Sequence, residues 1–214
     1  MTHAKVFSVH VGKAAPLGPN RVPSAFVKDR VSGAIVVRPI GLEGDEQADL
    51  RVHGGPEKAI YGYAVGHYAA WRAEYPAHAH LFVPGGVGEN LAIDGMEESD
   101  ICVGDVHAIG ATLLQVCQPR QPCFKFALRF NDSRLPRAMV RNGRSGWYYR
   151  VIQPGRIEAG ASVLLHERLN PGFPFARLVQ LVNRGRATPE ELRQLTDMTG
   201  LAEQWRVMAR QSLG

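Results

Sequence analysis

The chain has 214 residues, 45% of them hydrophobic and 21% charged, with a formal net charge of +5. That is enough apolar material for one ordinary domain plus a short appendage, and it excludes the composition of a disordered segment. No run approaches the roughly 18 consecutive apolar residues of a membrane helix and Met1 to Lys5 lacks a signal-peptide core, so a cytoplasmic protein with no membrane partner is expected.

From the N-terminus to about Leu165, short apolar or alternating runs are separated by Gly, Pro, Asn and Asp. Lys5 to Val11, Ala34 to Val37, Ile60 to Tyr63, Val106 to Ile109, Thr112 to Val116 and Ser162 to Leu165 read as strands, with breakers at Pro16 to Pro19, Gly41 to Gly44 and Pro84 to Gly88. This spacing predicts a mainly β fold with α elements (α+β), a closed or partly closed β-barrel over residues 1–170 rather than a parallel α/β sheet.

Two helices interrupt the strands. His67 to Tyr75 places Tyr68, Trp71, Arg72 and Tyr75 on one face before Pro76 ends the run, an aromatic stripe that reads as core. Leu135 to Arg141 reads as a second helix stopped by Asn142-Gly143.

After Asn170-Pro171-Gly172 the pattern changes to three short helical units, expected to form a separate segment over residues 171–214. Leu178, Leu181 and Val182 give the first an apolar face ended by Gly185. Thr188-Pro189-Glu190-Glu191 is a capping box with proline at the first helical position, and Leu201, Trp205 and Met208 follow Gly200 at helical spacing.

The chemistry concentrates near Gln118-Pro119-Arg120-Gln121-Pro122-Cys123. Two prolines stiffen this loop, and Arg120 and Lys125 flank the thiol, where cations favour the thiolate, the form that attacks and that ligates metals. A buried structural cysteine is the competing reading. Cys102 and Cys117 lack such surroundings and read as packing residues; with no C-x-x-C pair, a disulfide framework, a zinc ribbon and an iron–sulfur cluster are excluded as organising features.

Residues 118–150 carry Arg120, Lys125, Arg129, Arg134, Arg137, Arg141, Arg144 and Arg150 against Asp132 alone, so the remainder of the chain is acidic on balance. An anionic ligand near that segment and a solvated basic surface are both consistent with it.

Gly54-Gly55, between His53 and Lys58, permits positive φ and a close backbone approach to an anion. No Walker A loop or G-x-G-x-x-G is present, which argues against nucleoside triphosphates and dinucleotides. Gly88-Glu89-Asn90-Leu91 and Gly104-Asp105 are polar-glycine turns leading into strands, with Asn90 a candidate ligand donor and Glu89 a candidate orienting group. Gly143, Ser145, Gly146 and Trp147 open a further strand.

Taken in order, G-L-E-G-D-E-Q, V-H-G-G-P, G-E-N-L, V-G-D, Q-P-R-Q-P-C and G-W-Y resemble the MOSC superfamily, named for the C-terminal domain of molybdenum cofactor sulfurases. Within it the chain is similar to the bacterial YiiM-type branch, whose MOSC domain is followed by a three-helix segment. The resemblance runs from about Val6 to Leu213.

It implies a β-barrel, binding of the molybdenum cofactor (Mo-molybdopterin), and Cys123 as the metal ligand. It also implies reduction of N-hydroxylated substrates such as 6-hydroxylaminopurine. Carried over by position, Cys123, His53 and Arg120 are the catalytic candidates. His53, Gly54, Gly55, Lys58, Asn90, Arg120 and Cys123 are the cofactor-binding candidates, with Arg120 and Lys58 suited to a pterin phosphate. Lacking flavin and iron–sulfur motifs, such a protein takes electrons from a separate reductase; a homodimer is a family-level expectation, and no nucleic-acid partner is expected.

Three other readings remain open. Cys123 could hold a persulfide or park the cofactor in a non-catalytic carrier or sulfur-delivery module. The arginine-rich segment could bind nucleic acid, although aromatics interleave with it only near Trp147 to Tyr149. A cysteine hydrolase built on Cys123 and His53 lacks a clear third residue to orient the histidine.

Overall fold

The computed structural model describes residues 4–49 and 54–214. Thirteen strands occur among them: β1 (Lys5–Val11), β2 (Ala15–Leu17), β3 (Val22–Ser24), β4 (Asp29–Arg30), β5 (Ile35–Arg38), β6 (Gly41–Leu42), β7 (Ile60–Ala64), β8 (Leu91–Asp94), β9 (Val106–Ile109), β10 (Thr112–Pro119), β11 (Trp147–Gln153), β12 (Gly155–Ile157) and β13 (Val163–Glu167). The helices are α1 (His67–Glu74), α2 (Phe124–Phe130), α3 (Leu135–Asn142), α4 (Phe175–Arg184), α5 (Pro189–Thr196) and α6 (Glu203–Leu213).

Eight strands form one sheet in the order β13-β9-β10-β11-β7-β8-β1-β4, so the fold is mixed α+β. The sheet is open, and the closed form of the expected barrel is not what the strand order gives. The reason lies in β1. At its far end His10 and Val11 pair with β4, leaving only Ala4 to Val6 to face residues 160–163. There Val6 N–H donates to Ala161 and Val163 N–H to Ala4 around a single Lys5–Ser162 bridge, too short a contact to make a ladder.

Within the sheet β7 and β8 run parallel, pairing Gly62 with Leu91 and Tyr63 with Ala92. Their connection, residues 65–90, carries α1 and covers one face with a second hydrophobic cluster. Tyr68 and Trp71 are buried in it, the indole stacked on Phe82 at 5.2 Å. The aromatic stripe is core, as its spacing indicates.

A larger cluster runs from the sheet (Val6, Leu91, Leu114, Val116) into α4, α5 and α6 through Phe175, Leu178, Leu195 and Trp205. The helices bury their apolar faces on the sheet as well as on one another, as short amphipathic helices must. The capping box forms: Thr188 Oγ1 accepts from Glu191 N–H at 3.2 Å, and the Glu191 carboxylate accepts from Thr188 N–H at 2.8 Å. Asn170, where the sequence pattern changes, donates to Val103 O at 2.7 Å and to Thr199 O at 2.9 Å and so ties the two parts together.

Short strands β2 and β6 form where Pro16 to Pro19 and Gly41 to Gly44 were read as breakers, and one helix was not expected. Helix α2 begins directly after Cys123 and buries Phe126 and Phe130, one turn apart, while Phe124 stays 60% exposed.

His107 on β9 is buried and its Nδ1 lies 2.8 Å from the Tyr149 hydroxyl. Burial lowers its pKa from 6.5 to about 4, with Asp105 opposing the shift. Between those values the unfolded chain binds the proton and the folded protein does not, so stability falls as pH drops through the window. His10, lowered to about 4 mainly by burial, adds to the same slope. Urea denaturation at about pH 7 and about pH 5 should show a clear loss of midpoint in the wild type and a smaller loss in His107→Gln.

Candidate functional site

The longest strand pair, β10 with β11, carries an irregularity between Val116 and Gln118. A bulge bends the strand and re-aims the residues beyond it. Here it extends β10 three residues beyond the expected end and brings Gln118, Pro119 and Arg120, all buried, to one rim of a cavity of about 510 Å³. Residues 121 and 122 then leave the sheet. Cys123 takes the N-cap position of α2 with extended backbone (φ −107°, ψ 171°) and lines the same cavity, partly exposed.

Arg120 is 6% exposed. Its guanidinium carbon sits 4.7 Å from the Tyr61 ring centroid and 5.0 Å from that of Phe26, and Nη1 donates to Val87 O. Its pKa is raised, not lowered, despite the penalty of burial, so the guanidinium stays cationic. The partner chemistry explains how so polar a group is tolerated: π-faces on two sides and a carbonyl at the tip replace water.

A second charged group lines the same cavity. Lys28 pairs with Asp45, with side chains only 7% and 3% exposed. Burial lowers the Lys28 pKa, and Asp45 works against that shift. Asp45 also accepts from Gly12 N–H at 2.7 Å and from Asn90 Nδ2 at 2.9 Å.

Asn90, a candidate ligand donor, commits its amide inside the protein. Oδ1 accepts from Tyr61 N–H at 3.0 Å, and Nδ2 donates to His10 O at 3.2 Å besides Asp45. Its place on the cavity wall is that of a clip between β7, β8 and the Asp45 loop. Glu89, next to it, faces the aromatic cluster instead, accepting from the Tyr68 hydroxyl and from Gly85 N–H at 2.7 Å.

Gly54 and Gly55 adopt φ of 84° and 82°. A Cβ on Gly54 would lie 3.0 Å from Gln47 Oε1. Gly54 and Lys58 line the cavity, whereas Gly55 caps the short turn Pro56–Lys58 behind it. His53 lies outside the described residues. Of the sequence candidates, therefore, Gly54, Lys58, Asn90, Arg120 and Cys123 share one wall system.

The basic segment contributes less than its charge suggests. Arg134 pairs with Asp132, Arg144 with Glu74 and Arg150 with Glu57, leaving Arg120 and Lys125 as its members on the cavity. Cys102 and Cys117 are buried, and burial pushes the Cys117 thiol up to about 12 and the Cys102 thiol in the same direction. Such thiols are packing groups, as their surroundings in the sequence indicate.

Phe26, Lys28, Tyr61, Tyr148 and Gln204 were missed in the sequence. Tyr61 and Tyr148 sit on strands whose alternation could have aimed them, whereas Lys28 and Gln204 carry no local signal.

Breaking the Lys28–Asp45 pair from one side strands a buried charge. Asp45→Asn should cost about 3 kcal/mol in urea denaturation. Adding Lys28→Met should recover part of that loss, because the second substitution removes the stranded charge.

Comparison with known proteins accords with this geometry. The chain is 43% identical over 162 residues to Protein YiiM of Escherichia coli, covering 76% of this chain and 72% of that protein. It is 32% identical over 207 residues to YflK of Bacillus subtilis, covering 94% and 90%. A Gibberella moniliformis protein named Reductase is 36% identical over 190 residues, which span 88% of this chain but 33% of that longer protein. The crystal structure of YiiM from Geobacillus stearothermophilus superposes with a TM-score of 0.83 at 31% identity, covering 99% and 100% of the two chains. The MOSC domain model matches residues 49–164, a span that contains Asn90, Arg120, Cys123 and the Gly54 loop, and the chain belongs to the MOSC family.

Proposed function

We propose that this chain is a molybdenum-cofactor-dependent reductase of N-hydroxylated compounds, 6-hydroxylaminopurine among them, with Cys123 as the metal ligand. The observation that carries the reading is the joint placement of Cys123 and Arg120 on one cavity of about 510 Å³, a size suited to a small organic ligand. The donor set fits the cofactor. Cys123 is a soft sulfur donor on the cavity wall, the kind of single protein ligand that a metal carrying ligands of its own would take. The same cavity is lined by cations for an anionic tail (Arg120, Lys58, Lys125) and by Tyr148, a partly exposed aromatic neighbour for a flat ring.

When bound, the cofactor would supply the two-electron chemistry that cleaves an N–O bond. The chain's own groups do the rest. Cys123 anchors the metal through an anionic sulfur, favoured by the fixed charge of Arg120. Arg120, held between Tyr61 and Phe26, cannot swing away when the cavity is empty. Burial raises the Tyr148 pKa, so its phenol keeps a proton at neutral pH within the cavity wall. Electrons reach the site from a separate reductase. The name of the Gibberella relative and the family match support this class of activity.

Expression of the wild type and Cys123→Ser in hosts with and without cofactor synthesis tests the reading. Bound molybdenum and reduction of 6-hydroxylaminopurine are measured. The wild type from the competent host should be active, and Cys123→Ser should lose about 100-fold or more. Molybdenum bound without turnover would instead favour a cofactor carrier, and activity from the deficient host would end the metal mechanism. In parallel, Arg120→Lys should lower molybdenum content about tenfold or more, because a lysine ammonium cannot reproduce a planar cation between two rings.

A further inference from the structure

The end of the family match at residue 164 leaves α6 outside it, yet α6 reaches the cavity. Its first turn is fastened to the sheet from several directions. The Glu57 carboxylate accepts from Glu203 N–H at 3.1 and 3.2 Å while also pairing with Arg150 at 2.6 Å, and Ala202 N–H donates to Cys117 O at 3.0 Å. The bulged strand and the glycine-rich turn thereby fix where α6 begins.

Gln118 is the next link. It is 1% exposed, and its carboxamide is oriented at both ends. Nε2 donates to Glu57 O at 2.8 Å, while Oε1 accepts from Trp205 Nε1 at 3.2 Å and from Gln204 Nε2. Gln204 itself is exposed on α6 and lines the cavity. With one amide hydrogen committed to Gln118, its side chain is held in one orientation, leaving the second amide hydrogen and the carbonyl oxygen for a ligand. Tyr148, partly exposed, lines the same cavity and is an aromatic neighbour for a flat ring.

We infer that Gln204 is a specificity-determining residue that reads the amino edge of a planar purine in this cavity. An immobilised carboxamide offers one donor beside one acceptor, the complement of an exocyclic N–H next to ring nitrogen N7, as in adenine or 6-hydroxylaminopurine. A purine with an oxygen at position 6 presents two acceptors on that edge and leaves the Gln204 carbonyl opposed by a lone pair. The inference rests on the proposed activity for its substrate class and concerns binding alone.

Calorimetric titration of the wild-type protein with adenine and with hypoxanthine tests it. Adenine should bind about tenfold more tightly than hypoxanthine, and Gln204→Leu should bring the two within about twofold by weakening adenine. Since Gln204 is on the surface, the urea midpoint of the variant checks that the fold is intact. With loaded protein, the kcat/KM for 6-hydroxylaminopurine relative to N-methylhydroxylamine, which has no such edge, should fall about tenfold in Gln204→Leu, chiefly through KM. Equal affinity of the wild type for the two purines, binding of neither, or an equal loss of both in the variant overturns the inference. A wild type that reduces neither hydroxylamine would remove the reductase reading, and the ratio of the two purine affinities would still decide this one.

Discussion

Arg120 is delivered by a bulged strand into a space closed by Tyr61, Phe26 and Phe126, where its guanidinium is almost without water. A buried charge of that kind dictates what can surround it. The rings must be close, the Val87 carbonyl must face it, and the glycine turn before Asn90 must let the backbone approach: Gly88 has φ of 86°, and a Cβ there would lie 3.2 Å from Phe26 O. Cys123 follows three residues later, across Gln121 and Pro122, so the position of the sulfur is set largely by the position of the arginine.

Another part of the cavity lining is organised by a different balance. Lys28 and Asp45 neutralise one another in a dry setting, and Asn90 ties the pair to β7 and β8. That arrangement keeps one cation of the cavity wall already matched by a carboxylate. Glu57 does comparable double duty behind the glycine turn, meeting Arg150 with its carboxylate and the start of α6 with the same oxygens.

Much of the sheet was legible because its strands are short apolar or alternating runs bounded by breakers. The capping box at Thr188 was legible because its chemistry is local. Helix α2 was not: seven residues with three phenylalanines show an i, i+4 apolar pair but too few turns to reveal a face. The failure of the sheet to close was equally hidden, since it depends on β4 occupying the edge of β1 that the barrel would need. On the cavity wall, the stiff presentation of Arg120 and Cys123 was legible from the prolines, and the positive φ of Gly54 and Gly55 from the freedom of glycine. Asn90 was assigned a ligand-facing role that its geometry redirects inward. Lys28 and Gln204 were invisible because a single polar residue on a loop or an exposed helix face looks like any other until the partners are known.

The parallel alignment of β7 with β8 carries a kinetic meaning. Tyr61 and Asn90, 29 residues apart, bond to each other only after the entire crossover between them, aromatic cluster included, has packed against the sheet. Closing so long a loop is slow compared with forming a hairpin, so the chamber exists only in the completed molecule. A nascent or half-folded chain therefore lacks the cavity, and whatever the cavity holds can enter only the finished fold.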